Sequence, residues 1–564
     1  MSFSVRYVLA TLLTIFSLAV TVCAQTTNRQ TTKIPRGSIS GRITIKDKGA
    51  AGVAIGLRKD AMNPFEPYTK IVTDHDGFYR IDNLAAGAYE VSPSAPAFVI
   101  ADINNYQRGK TVIVAEDENV DDINFSLVRG GVITGKVTDA DGRPVIQQQV
   151  SVYRIDTGEQ QGQPPRPLFT TTAVVTDDRG VYRMYGLIAG RYKVAAGRAE
   201  EGNIGAFAMT RNVYKQVFHP DVSEYAKANV IEITEGSEAT NVDIALGRAQ
   251  ATFTASGRVM DDKNVPVAHL RLGVQRSSGR RVEVVPTLAT TNAQGDFIIE
   301  GLAPGKYGVY LFQMSAQSQV PDMRAEQSSF DIVDQDVSGI TVRLTKGATL
   351  SGVVVLESDD KTVLQKLQQM QLRAFVMAGP GVGGFGQSSV SPIGADGSFR
   401  LGGLAPGTVN VFLNAAIGNP SDTKGYMISR IERDGVQVAQ RIEVKEGEQV
   451  SGLRLIIAYG NATLRGVVRF ENGALPPQGR IFARLVRPGE NPDMSMMQSP
   501  QVDARGHFML EGLPAGMYEL HVSVTAGVGV TARGWPRTTK QLVNVQDGIV
   551  NEVVVTIDLG ATPK

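Results

Sequence analysis

One short pattern recurs five times in this chain of 564 residues, each time with the same internal spacing. It opens as Asp74-His75-Asp76-Gly77-Phe78-Tyr79-Arg80-Ile81 and closes as Leu84-Ala85-Ala86-Gly87-Ala88-Tyr89-Glu90-Val91. The turn glycine returns as Gly180, Gly295, Gly397 and Gly506. An aromatic follows each glycine by two positions: Tyr79, Tyr182, Phe297, Phe399 and Phe508. A leucine follows by seven (Leu84, Leu187, Leu302, Leu404, Leu513), and a second glycine by ten (Gly87, Gly190, Gly305, Gly407, Gly516). A fixed period marks a chain of like units, each built from the same supersecondary elements.

Each unit begins with a β-rich stretch carrying one glycine, as in Ile39-Ser40-Gly41-Arg42-Ile43 and Ile133-Thr134-Gly135-Lys136-Val137. Apolar and polar or small residues alternate there, the mark of a half-buried strand. The Asp-x-x-Gly segment reads as a tight turn, because Asp bonds backbone amides and Gly accepts positive φ. The strand after it turns Tyr79 and Ile81 to one face, and the next turns Tyr89 and Val91 inward. Tyr192/Val194 and Tyr307/Val309 repeat that pair, while module four has Val409 in place of the tyrosine. Runs such as Val112-Ile113-Val114 and Phe125-Ser126-Leu127 close the unit. About seven short strands in about 100 residues, with little amphipathic helix, predict an all-β chain of tandem seven-stranded antiparallel sandwiches. Only Lys361 to Met370 is helix-prone, and it reads as a decoration or loop of module four.

The expected modules are 37–128, 130–248, 251–346, 347–457 and 460–564. Arg6, the apolar run Val8 to Val20 and the small residues around Val22-Cys23-Ala24 read as a signal peptide, 1–24, followed by a linker, 25–36. The run is short for a membrane span, and no later run is long enough. The competing lipoprotein reading would place Cys23 at the mature terminus, but Val22 is bulky where such signals carry a small residue. Cys23 is the sole cysteine, so cleavage after Ala24 leaves no disulfide and each module stands on its own core. A net charge of +1 gives no electrostatic reason to expect nucleic acid as a partner. The short seams Leu127-Val128-Arg129-Gly130-Gly131 and Leu344-Thr345-Lys346-Gly347-Ala348 predict an extended, semi-rigid monomeric rod.

The Gly-x-[Val/Ile] strand followed by Asp-x-x-Gly-x-[Phe/Tyr] and Leu-x-x-Gly-x-Tyr resembles the carboxypeptidase regulatory-like family, in five copies over nearly the whole mature chain. The resemblance implies transthyretin-like (prealbumin-like) sandwiches, neighbours of collagen-adhesin B repeats and starch-binding-like domains. It implies an accessory module, not the zinc peptidase the family name suggests. The segment Val217-Phe218-His219-Pro220-Asp221 to Asp243-Ile244-Ala245-Leu246 resembles one common in large exported proteins of environmental Gram-negative bacteria.

The five histidines, His75, His219, His269, His507 and His521, form no His-x-x-Glu or His-Glu-x-x-His pair. No catalytic residue, metal site or cofactor is therefore expected. Asp74, Asp76, Asp139, Asp141, Asp177 and Asp178 place carboxylates in turns, as calcium would require. No distal glutamate completes a loop, however, and Asn292 and Gly394 replace the first Asp in modules three and four, so turn capping is the expected role. Lys136 is the one first-strand lysine that could enter a Lys–Asn cross-link of the adhesin type. The glycine run Gly379 to Gly386 lacks a phosphate-loop lysine and reads as a loop.

What the copies do not share is where ligand binding is expected. Trp535, the only tryptophan, and the cluster Tyr214, Phe218 and Tyr225 are the candidate ligand-binding aromatics. The expected function is structural or adhesive, at the envelope or cell surface of an exporting bacterium, with a glycan or protein partner. A set of carbohydrate-binding accessory modules is the alternative, and a peptidase-associated enzyme the third reading.

Overall fold

A computed structural model describes residues 36–59, 69–101, 109–155, 174–197, 214–278, 281–312, 322–326, 328–377, 388–415, 423–475, 479–488, 500–525 and 536–560. The expected signal peptide, the expected linker apart from Arg36, Trp535 and the Gly379 to Gly386 run lie outside the described residues. Among the described residues no helix is long and apolar enough to cross a membrane.

The chain is all-β and consists of tandem sandwiches. Module one holds β1 (Gly37–Ile45), β2 (Lys48–Gly49), β3 (Ala54–Arg58), β4 (Thr69–Val72), β5 (Phe78–Leu84), β6 (Gly87–Ser94), β7 (Phe98–Ile100), β8 (Lys110–Val114), β9 (Asn119–Val120) and β10 (Phe125–Arg129). One sheet runs β4-β3-β6-β8, antiparallel throughout. The other is centred on β1, which pairs antiparallel with β5 and parallel with β10. The same plan recurs in the later modules. Strands Gly131–Thr138, Phe253–Met260, Ala348–Leu356 and Ala462–Glu471 each pair antiparallel with the strand after the Asp-x-x-Gly turn. Each also pairs parallel with a strand at its module's end. The sandwich is thus antiparallel except where the first strand of each module meets the closing segment, a parallel pairing that is split into two short ladders in modules one and two. That pairing is parallel because the whole module serves as the crossover joining its first and last strands.

Five separate hydrophobic clusters fill the modules, each drawn from one copy of the repeat. The repeated aromatics, leucines and Tyr-x-Val pairs are all buried in them. The first-strand glycine has a steric cause. A Cβ on Gly41, Gly135, Gly257 or Gly352 would stand 2.2, 2.1, 2.0 or 1.8 Å from a carbonyl oxygen of the closing segment. The tyrosine of Leu-x-x-Gly-x-Tyr also ties its own turn. Tyr89, Tyr192, Tyr307 and Tyr518 donate to the carbonyls of Ala85, Ile188, Ala303 and Pro514, four residues back. In module four Val409 leaves that bond out.

Residues Lys361–Leu367 form the expected helix, with Asp360 as its N-cap, accepting from the Thr362 amide. It is more than a decoration. Val363 and Leu367 belong to the module-four core, and the Tyr426 hydroxyl donates to the Val363 carbonyl at 2.7 Å.

Three seams are built alike. The amides of Gly130, Gly347 and Gly460 donate to Ala97, Asp322 and Gly425 of the preceding module. Each of these glycines lies against the backbone of the next module's leucine turn, too close for a Cβ. Ion pairs add to two of them: Arg324 with Glu446 and Arg400 with Asp322 across the third seam, Lys424 with Glu511 across the fourth.

The array is not the extended rod that short seams suggest. The last module touches the first: Arg505 pairs with Glu118, and Thr111 donates to Gln501. The ties at three seams hold neighbouring modules in set positions, and those positions bring the first and last modules together.

Candidate functional site

Two regions carry residues that the fold does not use up: the insert of module two and a cleft on module one. The insert holds three of the four aromatics singled out by sequence. Tyr214 is 6% exposed and lies in the module-two core. Burial raises its hydroxyl pKa above the usual phenol value, with Asp139 adding to the effect. Phe218 is 3% exposed and packs with Tyr153 and Tyr225 in a satellite cluster. The three ring centroids lie 5.6 to 6.1 Å apart in tilted and edge-on contacts. Lys193, also buried, stands 4.1 Å from the Tyr225 ring centroid and donates to the Tyr225 carbonyl at 2.7 Å. The segment is pinned to its module: Asp221 accepts from the Ala245 amide at 2.6 Å, and His219 Nδ1 lies 2.7 Å from the Asp243 carbonyl.

The structure therefore brings Phe218 and Tyr225 together and sets Tyr214 apart in the main core. The buried rings of Tyr214 and Phe218 plug the sandwich and offer no open face to a sugar. A sugar site needs an exposed aromatic platform, and whether these rings are exposed depends on which strands the insert lies against.

The module-one cleft is lined by Ser40, Asp74, Phe78, Arg80, Asp121 and Asn124, among others. Phe78 is 52% exposed, and the Arg42 guanidinium lies 5.0 Å from its ring centroid. The polar groups around it are ordered. Ser40 donates to Asp121 at 2.6 Å, Asn124 accepts from the Arg42 amide at 2.7 Å, and Arg80 donates to Ser38 and Asp82. The arrangement is an aromatic edge flanked by donors and acceptors, open to solvent. Strand alternation could have found it: Phe78 adjoins the inward Tyr79 and so must face out. Tyr185 and Phe482 are also exposed aromatics on strands, in modules two and five.

The turn carboxylates cap backbone. One oxygen each of Asp74, Asp139, Asp177 and Asp503 accepts from the amides two and four residues on. Asn292 does the same in module three. In Asp177 these bonds hold the carboxyl below its usual pKa, the Val181 amide contributing most. Among the described residues no group of three or more His, Cys, Asp or Glu side chains could hold a metal ion. Lys136 sits at an exposed strand position, so it is not the buried lysine a Lys–Asn cross-link requires.

A family model described as the second β-sandwich domain of the BOS complex subunit NOMO1-like matches residues 37–122, within module one. No curated protein matches the chain. Among solved structures, the Bacillus anthracis TIE protein is 11% identical, with 84% of this chain and 71% of that one covered and a TM-score of 0.15. A streptococcal ancillary pilin is 14% identical, over 55% of this chain and 99% of the pilin, with a TM-score of 0.19. Two B repeats of the Staphylococcus aureus collagen-binding protein are 12% identical, over 75% of this chain and 99% of theirs, with a TM-score of 0.14. Likeness at this level has no bearing on activity.

Proposed function

We propose that this chain is an exported, non-catalytic scaffold of the bacterial envelope or cell surface, whose modules present loops and strand faces to a partner. Its modules are read as transthyretin-like domains of the carboxypeptidase regulatory-like type. The observation that supports this reading is where the repeated residues go. Every letter shared by the five copies is a turn glycine, a capping side chain or a buried core residue. The conserved spacing serves the fold, so selection for a common catalytic centre is not needed to explain it. The ties at three seams suit a protein that holds modules in set positions.

The test is binding of the purified full chain to envelope fractions and extracellular matrix proteins, beside a peptidase assay with and without chelator. Saturable binding without turnover supports the scaffold. Chelator-sensitive hydrolysis overturns it.

The Phe78 cleft favours glycan binding as the second reading, since an exposed ring with ordered polar neighbours is how proteins hold sugars. A glycan array decides it: binding by the native chain that is lost in Phe78→Ala supports this reading, and a blank array removes it.

A further inference from the structure

The contact between the first and last modules is built differently from the seams. In module one, β8 is the edge strand of its sheet, and an edge strand presents unpaired amides and carbonyls. At Ile113 those groups are taken by module five: the amide donates to Asp503 Oδ2 at 3.3 Å, and the carbonyl accepts from Arg505. Ile113 is 1% exposed although it belongs to no module core, because strand His507–Leu513 lies against β8 and β6.

Asp503 is 4% exposed and has every oxygen engaged. Oδ1 caps the repeat's own turn, accepting from the Arg505 and His507 amides, while Oδ2 reaches across to module one. Arg505 bridges Asp503 and Glu118, at 2.9 Å from each. The turn whose side chains stay within their own module in module two has thus become, in module five, the head of a joint. Charged hydrogen bonds to a buried carboxylate such as Asp503 are strong and geometrically exacting.

We propose that this joint is a latch between the two ends of the array, and that a second copy of this chain can engage it in place of the chain's own last module. The two surfaces are different and complementary, so the contact is heterologous, and its geometry is indifferent to whether both halves belong to one copy. Within one copy the linked ends see each other at an effective concentration on the order of millimolar, which favours the closed monomer in dilute solution. Crowding of copies at a surface shifts the balance to head-to-tail joining.

The test uses the full chain in small-angle scattering and sedimentation velocity, from dilute to about millimolar concentration. The native chain is expected to be a compact monomer when dilute and to associate as concentration rises. Arg505→Glu sets a third carboxylate against Glu118 and Asp503, and is expected to be expanded and monomeric throughout. Glu118→Gln keeps the acceptor for the Ala115 amide and should move the same way by less. Ile113→Asp spoils the other half of the joint without touching the module-one core. Melting curves like the native chain's show that each variant is folded. Neither Arg505→Glu nor Ile113→Asp should dimerise alone, but an equimolar mixture retains one intact pair of surfaces and should form a heterodimer. An Arg505→Glu scattering curve identical to the native one overturns the latch, and a mixture that stays monomeric at the top concentration overturns the exchange.

Discussion

The Tyr182 hydroxyl donates to the Val242 carbonyl at 2.6 Å, across the space left open by Gly135. Tyr79, Ile123 and Gly41 repeat the arrangement in module one at the same 2.6 Å. A ring, a missing side chain and a carbonyl make one device that ties the strand after the turn to the module's closing segment, across the glycine of the first strand. Tyr182→Phe should cost about 1–2 kcal/mol, since it leaves a buried carbonyl without its donor. Denaturant melts of the full chain would show module two unfolding earlier, with the other transitions unmoved.

Filling the space should cost more. Gly135→Ala puts a Cβ 2.1 Å from the Val242 oxygen, and backbone cannot swing aside. A loss of about 3 kcal/mol is expected. Gly142→Ala, in a turn with φ of 75° and nothing within 4 Å of the new atom, should cost about 1 kcal/mol from the left-handed backbone alone. The two melting temperatures, compared directly, check the order.

Acid should weaken the turn of module two. The Asp177 carboxyl is held below its usual pKa by the Val181 amide first, and by the Arg179 amide and guanidinium. A depressed folded-state pKa stabilises above the unfolded value, and that stability is lost as pH falls through the folded one. Module two should therefore lose stability below the ordinary carboxylate range. Asp177→Asn keeps the cap, as Asn292 does in module three, and should flatten the dependence. Melting curves from neutral pH to about pH 2 read the slope.

Alkali acts on the buried phenols. Burial raises the Tyr79 and Tyr182 hydroxyls above the usual value, and Tyr426 to about 12, with the negative charges of Tyr459 and Asp360 adding to the effect of burial. A raised folded-state pKa gives stability that is complete below the unfolded value and lost as pH rises past it. Modules one and two, with Tyr where modules three to five carry Phe, should weaken above about pH 10. Tyr79→Phe should blunt the loss in module one, as followed by limited proteolysis.

The helix of module four offers a packing test. Leu367 is buried in that module's core, so Leu367→Ala should cost about 2–4 kcal/mol. Leu364→Ala on the exposed face of the same helix should cost under about 0.5 kcal/mol. Equal effects would show that the helix does not share the core.

The repeat spacing by itself determined the architecture of each unit. Period-2 alternation turned Tyr79 and Ile81 one way and Phe78 the other, and Asp-x-x-Gly specified a capped turn, because these rules act over a few residues. Tertiary structure alone decided what depends on residues far apart. The closing segment runs beside β1 between its pairings with β9 and β10 and sets the Ile123 carbonyl against Gly41, which explains that glycine, and no local rule contains it. Tyr214 and Phe218 look like surface aromatics in a loop, but the strands they lie on bury them. The meeting of Asp503 and Arg505 with Ile113 depends on how each module sits on its neighbours, which short linkers restrict but do not spell out. Local sequence sets local geometry. Burial and contact between distant modules follow only when every intervening angle is added up.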